Sequence, residues 1–305
     1  MKKHIYLYTA VLGLAFVACE RDTKVNIPPH TPRLVLNGII PENGLFEVRA
    51  GKSQGILTPN ASSQYTVNNA VIVLFENGVA ADTLKYDATK FLYTTRTNKR
   101  AQLGKTYQLA ATAPGFTTAA ANSIMPSKPV ITRVVFTPNA RTTTEGTPLD
   151  DLTITFNDPG GEKNYCLIQV MVAFGNNFYF PVNCFFSNDI DIERPPTDDP
   201  LSSNSCLNRE LLLRDVNFNG RSKQLRISFH AGSAAPYIDP GSGRVFRPYV
   251  ELQHITEDQF KFLKSRDAYD FAADNPFAEP VLVYSNVKNG YGIFAVHSRA
   301  VDSIR

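Results

Sequence analysis

From Leu34 onward, apolar and polar residues alternate in short runs separated by turn residues. A period of two puts alternate side chains on one face of a strand. Such runs cover Arg33–Ile40, Leu45–Arg49, Ala70–Phe75, Thr83–Tyr86, Phe91–Arg96, Thr106–Ala111 and Phe116–Ile124. Asn43-Gly44 and Asn77-Gly78 accept the positive φ of tight hairpin turns. Seven short strands in about ninety residues is the spacing of a small sandwich. The pattern therefore predicts an immunoglobulin- or transthyretin-like β-sandwich over residues 34–127. Met125-Pro126-Ser127-Lys128-Pro129 bounds it, because two prolines so close together disfavour continuation of any element.

Residues 128–305 read as a second β-rich domain with one helix. Its strands are predicted at Val130–Phe136, Leu152–Phe156, Tyr165–Phe174, Phe178–Cys184, Leu225–Phe229, Tyr249–Gln253, Val281–Tyr284 and Ile293–His297, with a hairpin around Gly175-Asn176-Asn177. The helix is predicted near 256–271. Thr256 and Gln259 form a capping box in which each side chain satisfies an orphan backbone N–H. Phe260 and Leu263 follow at helical spacing, and Asn275-Pro276 stops the run.

The start of the chain follows neither period. Met1-Lys2-Lys3-His4 is basic, and Ile5–Ala18 is an uncharged apolar run of 14 residues. A spanning helix needs about 20 such residues, so the run reads as the core of a signal peptide, residues 1–18. Phe16-Val17-Ala18-Cys19 resembles a bacterial lipobox, with Phe where Leu is usual, and makes Cys19 the expected site of lipid attachment. Residues 19–33 carry three prolines and no apolar period, and read as a tether. Extended, it would reach about 50 Å from the bilayer. Charge changes little in this picture. The whole chain has 31 basic and 28 acidic residues, and loss of Lys2 and Lys3 leaves 29 − 28 = +1. That balance argues against nucleic acid as a partner.

Candidate chemistry is sparse. Beyond the tether the histidines are His230, His254 and His297, without metal-ligand spacing, so neither a metal nor a cofactor is expected. Gly241-Ser242-Gly243 reads as a loop, not as a nucleophile elbow. Asp215-Val216-Asn217-Phe218-Asn219-Gly220 copies the first half of a calcium loop, but the twelfth position is Arg226 in place of the bidentate Glu. A hairpin turn at Asn219-Gly220 is the better account. Asp189, Asp191, Glu193, Asp198 and Asp199 lie among prolines, where a solvated loop is favoured over a cation site. Phe174, Phe178, Tyr179, Phe180, Phe185 and Phe186 crowd one stretch. Alternation gives it a core face and a second face that can dock a partner, with Tyr179 and Phe185 as its markers. Once Cys19 is acylated, Cys166, Cys184 and Cys206 remain, an odd number in an oxidising compartment. Cys166 inside a strand suits a buried thiol. Cys184–Cys206 is thus the favoured disulfide and Cys166–Cys184 its rival.

Several of these segments recur together in one known pattern. They are Cys19-Glu20 with its tether, Arg33-Leu34-Val35-Leu36-Asn37-Gly38, Phe156-Asn157-Asp158-Pro159 with Asn164-Tyr165, and Phe218-Asn219-Gly220. Asn275-Pro276-Phe277-Ala278-Glu279-Pro280, Tyr284-Ser285-Asn286 and Gly290-Tyr291-Gly292-Ile293-Phe294 complete it. The chain so resembles the Bacteroidota lipoprotein family called domain of unknown function 4249. The resemblance implies a lipid-anchored protein of the outer membrane, facing the cell exterior, found with TonB-dependent transporters. It brings no catalytic residues. The expectation is an accessory binding or assembly subunit of such a transporter system, not an enzyme. The alternatives are a fimbrillin-like adhesin or structural surface subunit, and, less favoured, a hydrolase.

Overall fold

The alternating runs between Leu34 and Ile124 become strands, and in Leu34–Pro41, Thr106–Thr112 and Ala119–Ile124 the buried positions fall at every second residue. The structure is a computed structural model that describes residues 29–55, 65–174, 178–194, 206–207, 210–273 and 279–304. The leader, Cys19, most of the tether, the Gly175–Asn177 turn, Asp198, Asp199 and the Asn275-Pro276 stop lie outside the described residues. The first half holds β1 (Leu34–Pro41), β2 (Glu47–Lys52), β3 (Val71–Glu76), β4 (Val79–Asp87), β5 (Leu92–Thr94), β6 (Thr106–Thr112) and β7 (Ala119–Ile124). Then come β8 (Val130–Thr142), β9 (Pro148–Asn157), β10 (Tyr165–Phe174), β11 (Phe178–Pro181), β12 (Leu211–Arg214) and β13 (Ser222–His230). The chain ends with β14 (Tyr237–Ile238), β15 (Val245–Phe246), β16 (Tyr249–Ile255), helix α1 (Glu257–Ala273) and β17 (Tyr291–Ser303). The protein is mostly β, and α1 is the one α-helix among the described residues.

Twelve strands form a single sheet in the order β11-β10-β16-β17-β1-β2-β5-β4-β3-β6-β7, with β12 also on β10. The β7 end closes back over the first core. Ala120 bridges Lys288, and the Val296 N–H donates to Ser123 Oγ at 2.9 Å. Inside lie Leu34, Leu36, Phe46, Ile72, Leu74, Tyr107 and Leu109. Val287, Phe294 and Val296 from the far end of the chain join the same core.

A second core forms where a three-stranded sheet, β13-β9-β8, faces β10, β12 and β16. Leu152, Ile154, Phe156, Leu225, Ile227 and Phe229 meet Cys166, Ile168, Val170, Leu213, Val250 and Leu252 there. On the other face of the large sheet, Phe260 and Leu263 of α1 pack on Leu167, Leu212 and Ile255.

Strand β17 ties the two cores together. It runs parallel to β1, from Val35↔Tyr291 to Pro41↔His297, and then antiparallel to β16. Phe294 and Val296 point into the first core, and Ile304, just past the strand, is buried in the second. Between them the Ser127 carbonyl accepts from Ser298 Oγ at 2.7 Å and from His254 Nδ1 at 2.9 Å. The proline-flanked linker is thereby fastened to the strand beneath it.

Two local expectations need correction. The capping box at α1 is half made: the Gln259 N–H donates to Thr256 Oγ1 at 3.2 Å, but Gln259 Oε1 is buried without a partner. Val281–Tyr284 is not a strand. Tyr284 hydrogen-bonds to α1 instead, its N–H to Ser265 Oγ at 2.8 Å and its hydroxyl to Asp258 at 2.5 Å. No helix among the described residues is long and apolar enough to cross a membrane.

Candidate functional site

The inner face of the three-stranded sheet is apolar, so by alternation its outer face carries Asp151, Thr153 and Thr155 from β9 and Gln224, Arg226 and Ser228 from β13. Register places Ser228 opposite Asp151 and Arg226 opposite Thr153, one diagonal step away. Arg141 reaches the same spot because β8 is irregular between Thr137 and Arg141. The irregularity is held by the preceding acid. Asp150 accepts the N–H of Asn139 (φ 48°) at 2.8 Å and that of Gly232 at 2.9 Å.

Asp151 is the centre of the arrangement. Its carboxylate accepts from Arg141 Nη2 at 2.8 Å, Arg226 Nε at 2.9 Å, Arg226 Nη2, and Ser228 Oγ at 2.7 Å. Burial works to raise its pKa, but the hydrogen bonds from Arg141, Ser228 and Arg226 outweigh burial and hold it below the usual value. The arginine side chains remain 42% and 62% exposed while Asp151 is 5% exposed. Two guanidinium groups are thus aimed by one buried anion and left open to solvent.

They open into a cleft of about 750 Å³. One wall is the Thr142–Thr147 turn, closed by the Thr143 N–H to the Thr147 carbonyl at 2.8 Å. The opposite wall is Phe186–Asp189, whose first residue pairs with Ser228 on the free edge of β13, both backbone bonds being 2.8 Å. Phe186 meets the His230 ring edge-on at 5.5 Å, and Ser187 Oγ donates to the Arg226 carbonyl at 2.7 Å. Asp189 at the end of this wall is paired with Lys223 at 2.8 Å.

A disulfide positions that second wall. Cys184 and Cys206 are bonded, with Cα atoms 4.6 Å apart, and Cys166 is a buried free thiol whose pKa is pushed up by burial, with Asp158 and Asp215 adding to it. Cys184 has φ 66°, which turns the chain after β11 and breaks the alternation. Phe185 consequently points into the second core, fully buried and edge-on to Phe229 at 6.0 Å. Phe185 is therefore not a partner surface. Tyr179 is half-buried against Tyr249 at 5.0 Å, and the outward aromatics of β11 are Phe178 and Phe180.

The other sequence candidates serve the fold. Asp215 begins a 3₁₀ turn and accepts the Asn164 N–H at 2.8 Å, while Asp158 accepts that of Gly220 at 2.9 Å. The half-motif of a calcium loop is thus a backbone clasp between two turns. Lys223 pairs with Asp191 as well as Asp189, and Lys264 with Glu193 at 2.7 Å. Among the described residues no three His, Cys, Asp or Glu side chains are grouped to hold a metal ion. His230 lines the cleft, whereas His254 and His297 are buried away from it, their Nε2 and Nδ1 atoms lacking partners.

Sequence reading missed the Arg141–Asp151–Arg226 cluster. Its one signal was Asp150-Asp151 at the head of an otherwise uncharged, alternating strand. Two adjacent charges in such a run must each find buried partners.

The family model described as a domain of unknown function (DUF4249) matches residues 20–303. No curated protein matches the chain.

Proposed function

We propose, on the premise that this chain belongs to the DUF4249 family, that it is a Bacteroidota surface lipoprotein acting as an accessory binding or assembly subunit of a TonB-dependent outer-membrane transporter. The anchor is the acylated Cys19 that follows the apolar leader. Each buried acyl methylene contributes about 0.8 kcal/mol, so two or three chains hold a protein at a bilayer without a membrane helix. The observation that carries the binding part of this reading is the cleft above Asp151. Its arginines are fixed from below by a saturated carboxylate and open from above, which is the preorganised arrangement of a recognition site.

The test has two parts. Cys19→Ala is expected to abolish acylation and move the protein from membrane to soluble fractions; retention on membranes at high salt would overturn the anchor. Mild-detergent pull-down of the wild type is expected to recover a large outer-membrane barrel in stoichiometric amount. Because Phe185 is core, the sensible charge probe of a docking face is Phe178→Asp, at a side chain that is 68% exposed. A protein that stays alone under all mild conditions would overturn the subunit reading.

A further inference from the structure

We infer that the cleft over the three-stranded sheet binds a small acidic solute, taking its carboxylate or phosphate group on Arg226 and Arg141. This deepens the binding reading above and rests on it. Acceptor capacity at the floor of the cleft is used up, and donor capacity is not. An ionised carboxylate offers about four acceptor sites. Asp151 receives four donors, from Arg141 Nη2, Arg226 Nε, Arg226 Nη2 and Ser228 Oγ, so it has nothing left for a ligand. The other acids of the cleft are also engaged. Asp189 is paired with Lys223 at 2.8 Å, and Glu145 accepts from the Thr144 hydroxyl at 2.8 Å.

The donor side is different. A guanidinium carries five N–H groups. Arg226 gives two bonds to Asp151 and Arg141 gives one, while both side chains stay well exposed at the cleft. The surplus capacity is therefore donor capacity, fixed in direction by a buried anchor. Groups with acceptors only, carboxylates and phosphates, match it, and the planar fork of Arg favours them. An ammonium ligand would meet three acids that each already hold at least one donor, Glu145 on the exposed turn keeping the most acceptor capacity. The volume of about 750 Å³ suits a small molecule rather than a single ion. The charges of the cleft and its supporting pairs nearly cancel: Arg141, Arg226 and Lys223 stand against Asp151, Glu145, Asp189 and Asp191. Binding should thus depend on directed hydrogen bonds and only weakly on long-range attraction.

The experiment uses the full-length protein in mild detergent, titrated calorimetrically at constant ionic strength with citrate, inorganic phosphate and choline in separate arms. Saturable binding of citrate or phosphate is expected, and which of the two binds tells whether the site takes a carboxylate or a phosphate. Arg226→Gln is expected to weaken that binding roughly tenfold or more, as for loss of a charged hydrogen bond. Because this variant also removes a partner of Asp151, Gln224→Glu is the second probe. Gln224 is an exposed residue on the same outer face, outside the Asp151 network. Its new charge should weaken anion binding while the melting temperature stays that of the wild type. The inference is overturned if neither anion binds, if choline binds instead, or if both variants bind the anion as the wild type does. Loss of anion binding with the barrel still recovered in pull-down would remove this inference and leave the subunit reading standing.

Discussion

His297 lies on β17 one residue before the Ser298–His254 pair, on the face that α1 covers. Its imidazole is buried and its Nδ1 has no partner, so burial, with the Arg299 charge adding to it, pushes the pKa down to about 4. The folded state therefore keeps His297 neutral where the unfolded chain, with an ordinary value near 6.5, binds a proton. The unfolded state binds more protons between these two values, so stability falls as pH drops from about 6.5 to about 4, by about 3 kcal/mol at most for this residue. His297→Gln should flatten that slope in urea titrations run across the window; an unchanged slope would show that the histidine does not titrate with unfolding. Single residues also mark how far the sequence could be read. Cys184–Cys206 was legible because a thiol within a strand and a thiol in a polar loop differ in kind. Phe185 was not, because its inward direction follows from the left-handed backbone of Cys184, which a period of two cannot foresee. Asp151 was passed over because its partners, Arg141 and Arg226, stand on two other strands.

At the scale of elements, the alternating runs and the Thr256 cap told most of what local chemistry can tell. Pairings between distant strands were not legible. Strand β1 lies between β2, its neighbour in sequence, and β17, which follows some 250 residues later. Nothing in either run specifies the other except the glycines at the start of β17, where a Cβ at Gly290 would already stand 2.5 Å from the Leu34 carbonyl oxygen. Gly292 has φ 106°, and a Cβ there would stand 2.1 Å from the Leu36 carbonyl oxygen. Both the backbone conformation and the close approach of β1 require glycine. Gly292→Ala is thus expected to destabilise the protein by about 3 kcal/mol or more, through strain at a positive φ and a clash that only strand separation relieves. Guanidinium denaturation would measure it, and a loss below about 0.5 kcal/mol, the range of ordinary surface changes, would contradict the close approach. The same doubly paired position bears on the adhesin alternative, whose discriminating mark would be a proteolytically released first strand. Releasing β1 would break seven pairings with β17 and four with β2, and strip Leu34, Leu36 and Ile40 from the first core.

The whole molecule is organised by the strand that closes it. A division at the proline-flanked linker matches the local pattern, yet the first core contains Val287, Phe294 and Val296, which lie far beyond that linker. Burying a large aliphatic or aromatic side chain stabilises by about 1.5–3 kcal/mol, so these three together contribute about 5–9 kcal/mol. That is comparable with the whole net stability of a typical domain, about 5–15 kcal/mol. The Ser127 carbonyl, held by Ser298 and His254, adds a joint at the boundary itself. A fragment covering residues 29–128 would also expose the edge of β1 that β17 covers, with its row of unpaired backbone groups. Such a fragment is expected to be unfolded or aggregated when expressed alone, without the dispersed amide signals of a sandwich. Adding a peptide that spans residues 279–304 should restore those signals, because it supplies both the missing strand and the three core side chains. Cooperative folding of the fragment without the peptide would mean that the first sandwich is self-sufficient and that β17 merely docks on it. Failure with the peptide present would assign the missing stability to β16 and α1, which hold β17 from the other side.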